Sequence, residues 1–123
     1  MGMARILIAE ADAALRIAFR LILQKRLGVS EIKEAANLAQ LQSCLDQWRP
    51  DLILLDVMMP DMDGIRAIKF LKAGPFKDTK ILVVAGALND DQMNFLNNQE
   101  IPWMVKPLYK KQLVGKVKGL SEE

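Results

Sequence analysis

The sequence predicts an α/β fold, a doubly wound, five-stranded parallel sheet with five helices on its two faces. Three observations carry that prediction. Short apolar runs such as Ile6–Ala9 and Leu52–Leu55 lack the polar alternation of a half-exposed strand, so they read as strands buried on both faces. Between the runs lie longer segments with apolar residues at helical steps, beginning with Leu15, Phe19, Leu23 and Leu27. Glycine and proline punctuate the joins, so strands and helices alternate along the whole chain.

The elements follow in order. Ile6–Ala9 is the first strand and residues 13–27 the first helix, which Gly28 ends as a left-handed cap. Val29–Ala35 is a short, weak strand. Residues 38–48 form a helix through Leu38, Leu41, Leu45 and Trp48, stopped before Pro50. Asp51–Asp56 is the third strand, and the turn-rich loop VMMPDMDG leads to a helix over 65–73, closed by Gly74-Pro75. Lys80–Ala85 is the fourth strand, 90–98 a short polar helix, Ile101–Val105 the fifth strand and 108–119 the last helix. Residues 1–123 are expected to form a single domain, without repeats, low-complexity tracts or an interior linker. Met1-Gly2-Met3 reads as a doubled start.

Composition removes several classes of function. The chain has no histidine, which excludes Ser-His and Cys-His catalysis and the common zinc sites. Cys44 is the only cysteine and falls at helical spacing among Leu41, Leu45 and Trp48, so it is expected to fill core; no internal disulfide is possible. Seventeen basic against 15 acidic residues is too even a balance for direct nucleic-acid binding. Lys106, Lys110, Lys111, Lys116 and Lys118 form the one basic cluster, expected to be mostly the solvated face of the last helix. With no apolar run long enough for a bilayer and no signal-peptide pattern at the N-terminus, the sequence points to a cytoplasmic protein with no membrane partner.

In open α/β sheets ligands bind beyond the carboxyl ends of the strands. Those ends carry Glu10-Ala11-Asp12 after the first strand, Asp56 after the third, Ala85-Gly86-Ala87 after the fourth and Lys106-Pro107 after the fifth. Carboxylates and a lysine converging on one edge suit phosphoryl or metal chemistry. No glycine-rich phosphate loop follows any strand, which argues against a nucleotide.

The segment PDLILLDVMMPDMDGI, residues 50–65, together with VKPL after the fifth strand, resembles the receiver domain of two-component response regulators. The resemblance extends over the whole chain. It implies a flavodoxin-like sheet of strand order 2-1-3-4-5, and a signalling domain rather than an enzyme. Asp56 would be the phosphoacceptor, taking a phosphoryl group from a histidine kinase or phosphotransfer protein, and Lys106 would contact a phosphoryl oxygen. Mg²⁺, expected to bind weakly, would be held by Glu10, Asp56 and the backbone carbonyl of Met58. Pro60 and Gly64 would shape the loop, Asp61 and Asp63 would serve as turn and cap, and the Lys106-Pro107 bond is often cis in such domains. A target protein or output domain would dock on the face made by helix 4, strand 5 and helix 5, beside Trp103 and Tyr109; a purely core-covering role for these two stays open.

Two positions depart from the family pattern. The family places two adjacent acids after the first strand; here Glu10 matches the first and Ala11 the second. Asp12 then either caps the first helix, the preferred reading, or rescues the metal site. After the fourth strand the family carries a Ser or Thr hydroxyl that meets the phosphoryl group, and Ala85 stands there. The aromatic switch position on the fifth strand is matched by Trp103, large enough to resist inward burial. These departures support an alternative reading: a pseudo-receiver, a protein-interaction module with weak or no phosphorylation-dependent switching. A small hydrolase on a similar sheet is disfavoured by the lack of histidine and of a second nucleophile. Whether the domain stands alone or belongs to a longer regulator is open.

Overall fold

The computed structural model describes residues 4–122, so Met1-Gly2-Met3 lies outside the described residues. Five strands and five helices alternate: β1 (Arg5–Ala9), α1 (Ala13–Leu27), β2 (Glu31–Ala35), α2 (Leu38–Gln47), β3 (Leu52–Asp56), α3 (Gly64–Ala73), β4 (Lys80–Ala85), α4 (Asp90–Asn98), β5 (Trp103–Val105) and α5 (Lys110–Ser121). The strands form one parallel sheet in the order β2-β1-β3-β4-β5.

Strand parity divides the core in two. Ile6, Ile8, Leu52, Leu54, Leu82, Val84 and Met104 face Phe19 and Leu23 of α1 and Leu113 and Val117 of α5. Leu7, Ala9, Ile53, Leu55, Ile81, Val83 and Ala85 face Leu41 and Leu45 of α2, Ile68 and Leu71 of α3 and Leu96 of α4. β1, β3 and β4 are buried almost throughout, as their unbroken apolar runs require. β2 lies at an edge and alternates exposed and covered residues, which is why its sequence signal is weak.

The helix ends follow local chemistry. Asp12, Asn37, Asp63 and Asn89 each accept the amide of the residue three further on, at 3.1, 2.9, 3.1 and 2.8 Å. Gly28 ends α1 at φ 64°, the left-handed region that glycine enters without cost.

Several expected boundaries shift by one or two residues. α2 stops at Gln47, because Trp48 is already extended (φ −148°, ψ 139°) on the way to Pro50. β5 begins at Trp103 rather than Ile101: the Ile101 amide is spent on Leu96 O (2.9 Å), and Pro102 has no N–H to give. β1 begins at Arg5, β2 at Glu31, β3 at Leu52 and α3 at Gly64, while α5 runs over Lys110–Ser121, after a cis Lys106-Pro107 bond. Cys44 is half-buried against the α2–α4 core, where burial pushes its thiol pKa up, so it is core filler. Lys110, Lys111, Lys116 and Lys118 are exposed on α5, as expected of a solvated face.

Candidate functional site

The residues at the carboxyl edge are sorted by the same parity as the core. Glu10 continues the series Ile6, Ile8; Asp56 continues Leu52, Leu54; and Lys106 follows Met104. All three therefore fall on the α1/α5 side of the sheet, where they meet. Lys106 Nζ lies 2.7 Å from Glu10 Oε1 and 3.1 Å from Asp56 Oδ2. The Lys106 amide donates to Ala85 O at 2.8 Å, which carries the β4–β5 ladder one step further and aims the side chain across β4. Glu10 and Asp56 are only 2% and 6% exposed, and they are the two buried charged residues among those described.

Each carboxylate has a second tether. Met58 N–H donates to Asp56 Oδ1 at 2.8 Å, so the loop after β3 folds back over the acid that begins it. Asp12 N–H donates to Glu10 Oε2 at 3.1 Å. Burial pushes the Glu10 pKa up; Lys106 and the Asp12 amide pull it down, and the neighbouring Asp56 adds to the rise. Lys106 behaves oppositely. Burial alone would lower its pKa, but hydrogen bonds and charge attraction from two carboxylates together outweigh it, and the net shift is upward. The difference is one of company: Lys106 faces two anions, whereas Glu10 faces one cation and one anion.

Asp12 caps α1 through Leu15 N–H (3.1 Å), is exposed, and does not join the cluster. Among the described residues no group of three His, Cys, Asp or Glu side chains is placed to hold a metal ion. The site thus offers two carboxylates, with backbone carbonyl and water oxygens to complete a shell. That donor set is all oxygen and suits a hard cation such as Mg²⁺, one carboxylate short of three. Asp61 sits at φ 58° as a turn residue, and Asp63 caps α3. A Cβ on Gly64 would lie 2.3 Å from Val57 Cβ and 2.6 Å from Val57 Cα and O, so only glycine lets α3 start this close to the loop after Asp56.

On the other side of the edge, Ala85 is fully buried and faces the α2–α4 core, without a hydroxyl. Trp103 has the same parity, packs against that core half-buried, and donates its indole N–H to Asn97 Oδ1 of α4 at 3.1 Å. Val105 and Tyr109 stand exposed nearby.

Two features were not legible beforehand. Arg16 of α1 donates from Nη1 to Glu10 O (2.8 Å) and Ala11 O (3.4 Å), and from Nε to Glu34 Oε1 of β2 (2.9 Å). Its signal was an Arg four residues beyond a helix cap, with an acid on a weakly apolar edge strand; neither is conspicuous alone. Met58 is 57% exposed, and its sulfur lies 4.0 Å from where a Gly86 Cβ would stand, so its side chain reaches from the loop after β3 to the end of β4.

Two buried carboxylates sharing a lysine at the carboxyl edge of a 2-1-3-4-5 sheet are the mark of a receiver-type signalling module. The chain belongs to the response regulator receiver domain family, whose model matches residues 6–118. It is similar to the chemotaxis protein CheY of Bacillus subtilis, 41% identical over 68 residues that cover 55% of this chain and 56% of that protein. It is also similar to the phosphate regulon transcriptional regulatory protein PhoB of Escherichia coli, 30% identical over 118 residues, 94% of this chain and 51% of that protein. Among solved structures, a signal receiver domain of a DNA-binding response regulator from Colwellia psychrerythraea superposes with a TM-score of 0.88 at 28% identity, covering 97% of this chain and 98% of the other. The chain spans about half the length of those two curated relatives.

The protein is therefore a receiver domain of two-component signalling with the flavodoxin-like fold. Phosphorylation on an aspartate is typical of this family, and these matches do not favour an interaction-only module. Receiver domains are signalling modules rather than classical enzymes; they generally bind Mg²⁺ in the acidic pocket and work with histidine kinases or phosphotransfer proteins and output domains. No helix among the described residues is long and apolar enough to cross a membrane.

Proposed function

We propose that Asp56 accepts the phosphoryl group, and that Glu10 and Lys106 serve that transfer. The observation that carries this reading is the shared lysine: Asp56 Oδ2 lies 3.1 Å from Lys106 Nζ while Oδ1 is held by Met58 N–H. A carboxylate oxygen of Asp56 attacks phosphorus as the P–N bond of a phosphohistidine breaks, and that bond's electron pair returns to the imidazole. The product is an acyl phosphate. Lys106, released from Asp56 as the attacking oxygen becomes the bridging oxygen of the mixed anhydride, neutralises a phosphoryl oxygen. Beside the two carboxylates its pKa is raised, so it enters the transfer as a cation. Glu10, Asp56 and the carbonyl of Met58 would hold Mg²⁺, which supplies further neutralisation of phosphoryl charge.

Affinity for Mg²⁺ is weak in this reading, because Ala11 brings no side-chain oxygen and Asp12 is committed to its cap. The conformational response is muted, because Ala85 offers the phosphoryl group no donor and Trp103 is tied to Asn97. The phosphodonor is a histidine kinase or phosphotransfer protein in the cytoplasm. The docking face for a target or output domain is α4-β5-α5, where Val105, Tyr109 and the α5 lysines are exposed. Incubation with a small phosphodonor and Mg²⁺, followed by peptide mass spectrometry, tests the reading. Phosphoryl incorporation at Asp56 is expected, with complete loss in Asp56→Asn; equal incorporation in the variant overturns it.

A further inference from the structure

We propose that Arg16 is a positioning residue of the phosphorylation site, holding the β1–α1 turn so that Glu10 delivers a carboxylate oxygen to Lys106 beside Asp56. The inference rests on the reading of Glu10 and Asp56 given above.

The turn is tethered at several polar points. Glu10 N–H donates to Ala35 O at 2.9 Å, Glu10 O accepts from Arg16 Nη1 at 2.8 Å, and Glu10 Oε2 accepts from Asp12 N–H at 3.1 Å. Glu10 Oε1 is left to point at Lys106, 2.7 Å away. Ala11 O, the other turn oxygen that could face the pocket, is engaged by the same Arg16 nitrogen at 3.4 Å. Arg16 is itself fixed. Its Nε is paired to Glu34 Oε1 at 2.9 Å, and Arg20 Nε donates to Glu34 Oε2 at 2.6 Å. The Arg16 and Glu34 side chains are 18% and 25% exposed, so the pair is shielded, unlike a freely solvated surface bridge. A planar guanidinium can hold a carbonyl and a carboxylate at once, which a lysine ammonium does not do in fixed geometry.

In a turn that lacks the second acid, this anchoring sets both which oxygens reach the pocket and their direction. Groups that orient a ligating carboxylate typically contribute about tenfold or more to metal affinity.

Charge and position predict opposite signs, which makes the inference testable. A guanidinium near a cation site repels the cation, so if Arg16 acted by charge alone, Arg16→Gln would tighten Mg²⁺. As a positioning residue it does the reverse. Arg16→Gln is expected to raise the Mg²⁺ dissociation constant about tenfold, read from amide shifts of Glu10 and Met58 by NMR titration. Arg16→Lys, which keeps the charge but not the fork, is expected to raise it by several-fold, and Glu34→Gln by a smaller factor. A metal-free readout stands beside these. The Asp12 amide, which donates to Glu10 Oε2, should exchange with solvent about tenfold faster in Arg16→Gln while the β1 and β3 amides keep their protection. Unchanged Asp12 exchange, or tighter Mg²⁺ in Arg16→Gln, overturns the inference. If the parent protein binds no Mg²⁺ at all, the metal part of the functional reading fails, and the exchange measurement still decides the role of Arg16.

Discussion

The two sides of the carboxyl edge have been treated differently in this chain. On the α1/α5 side, Lys106 lies 2.7 Å from Glu10 and 3.1 Å from Asp56, so two carboxylates and a cation still converge there. On the α2–α4 side, Ala85 carries no hydroxyl and Trp103 is bonded to Asn97. Strand parity produces the separation: positions 10, 56 and 106 fall on one face of the sheet, and 85 and 103 on the other. A substitution on one face need not disturb the other. If the proposed roles hold, chemistry and relay are separable by single residues.

The largest effect is expected from removing the cation that both acids share. Lys106→Met leaves Glu10 and Asp56 buried side by side, and should cost about 2–3 kcal/mol at neutral pH. The pH dependence gives the cause. The folded pKa of Glu10 lies above its usual 4.5, so the stability it contributes is complete below that value and is lost as pH rises through the folded pKa. Without Lys106 the rise grows. The deficit should be greatest at neutral pH and shrink as acid protonates Glu10, as urea unfolding at a series of pH values would show. A deficit independent of pH would mean that Lys106 acts through packing of its stem rather than through its charge.

A smaller effect tests the separation itself. Ala85→Thr adds atoms at a site with no exposed surface and should cost about 1–2 kcal/mol. Ala11→Asp, at an exposed turn position, should change stability by less than about 0.5 kcal/mol. Each is expected to restore only its own side. Ala11→Asp tightens Mg²⁺ about tenfold, with little change in the beryllofluoride-induced amide shifts around Trp103, and Ala85→Thr enlarges those shifts with Mg²⁺ affinity unchanged. Should Ala11→Asp alone enlarge the shifts on α4 and β5, the two faces are coupled more tightly than parity implies.

The contrast also explains what the sequence did and did not disclose. Buried strands and the loop around Asp56 are locally encoded: unbroken apolar runs, a proline and Gly64, where Val57 leaves no room for a Cβ, each leave a mark in their own stretch of chain. The α1 start was equally legible, since a cap is a contact between neighbours and Asp12 bonds only three residues ahead. β5 was less so, because whether Ile101 and Pro102 join the sheet depends on where the Leu96 carbonyl lies. Arg16 was not legible as part of the site. Its partners are Glu10 in the turn and Glu34 eighteen residues on, brought together by the parallel pairing of β1 with β2. The convergence of residues with landmark neighbours, Asp56 and Lys106, could be expected in advance, while contacts defined by long-range partners waited for the fold.

The smallest expected effect bears on how Trp103 is held. Its indole N–H reaches Asn97 Oδ1 in an exposed position, so the bond contributes less than the about 1 kcal/mol typical of buried ones. Asn97→Ala should lower stability by no more than about 0.5 kcal/mol, and the dynamic consequence is the larger one. With its partner removed, the ring is restrained by its packing against the α2–α4 core, and it gains rotamers on that face of β5. Trp48 is buried near α2, so total fluorescence mixes two sources, but the indole N–H resonance reports Trp103 alone. That resonance is expected to move upfield and broaden in Asn97→Ala, and its displacement by beryllofluoride should exceed that in the parent protein. An unchanged displacement would mean that the Asn97 bond does not restrain the response, leaving the size of Trp103 itself and the missing hydroxyl at Ala85 as the differences that mute it.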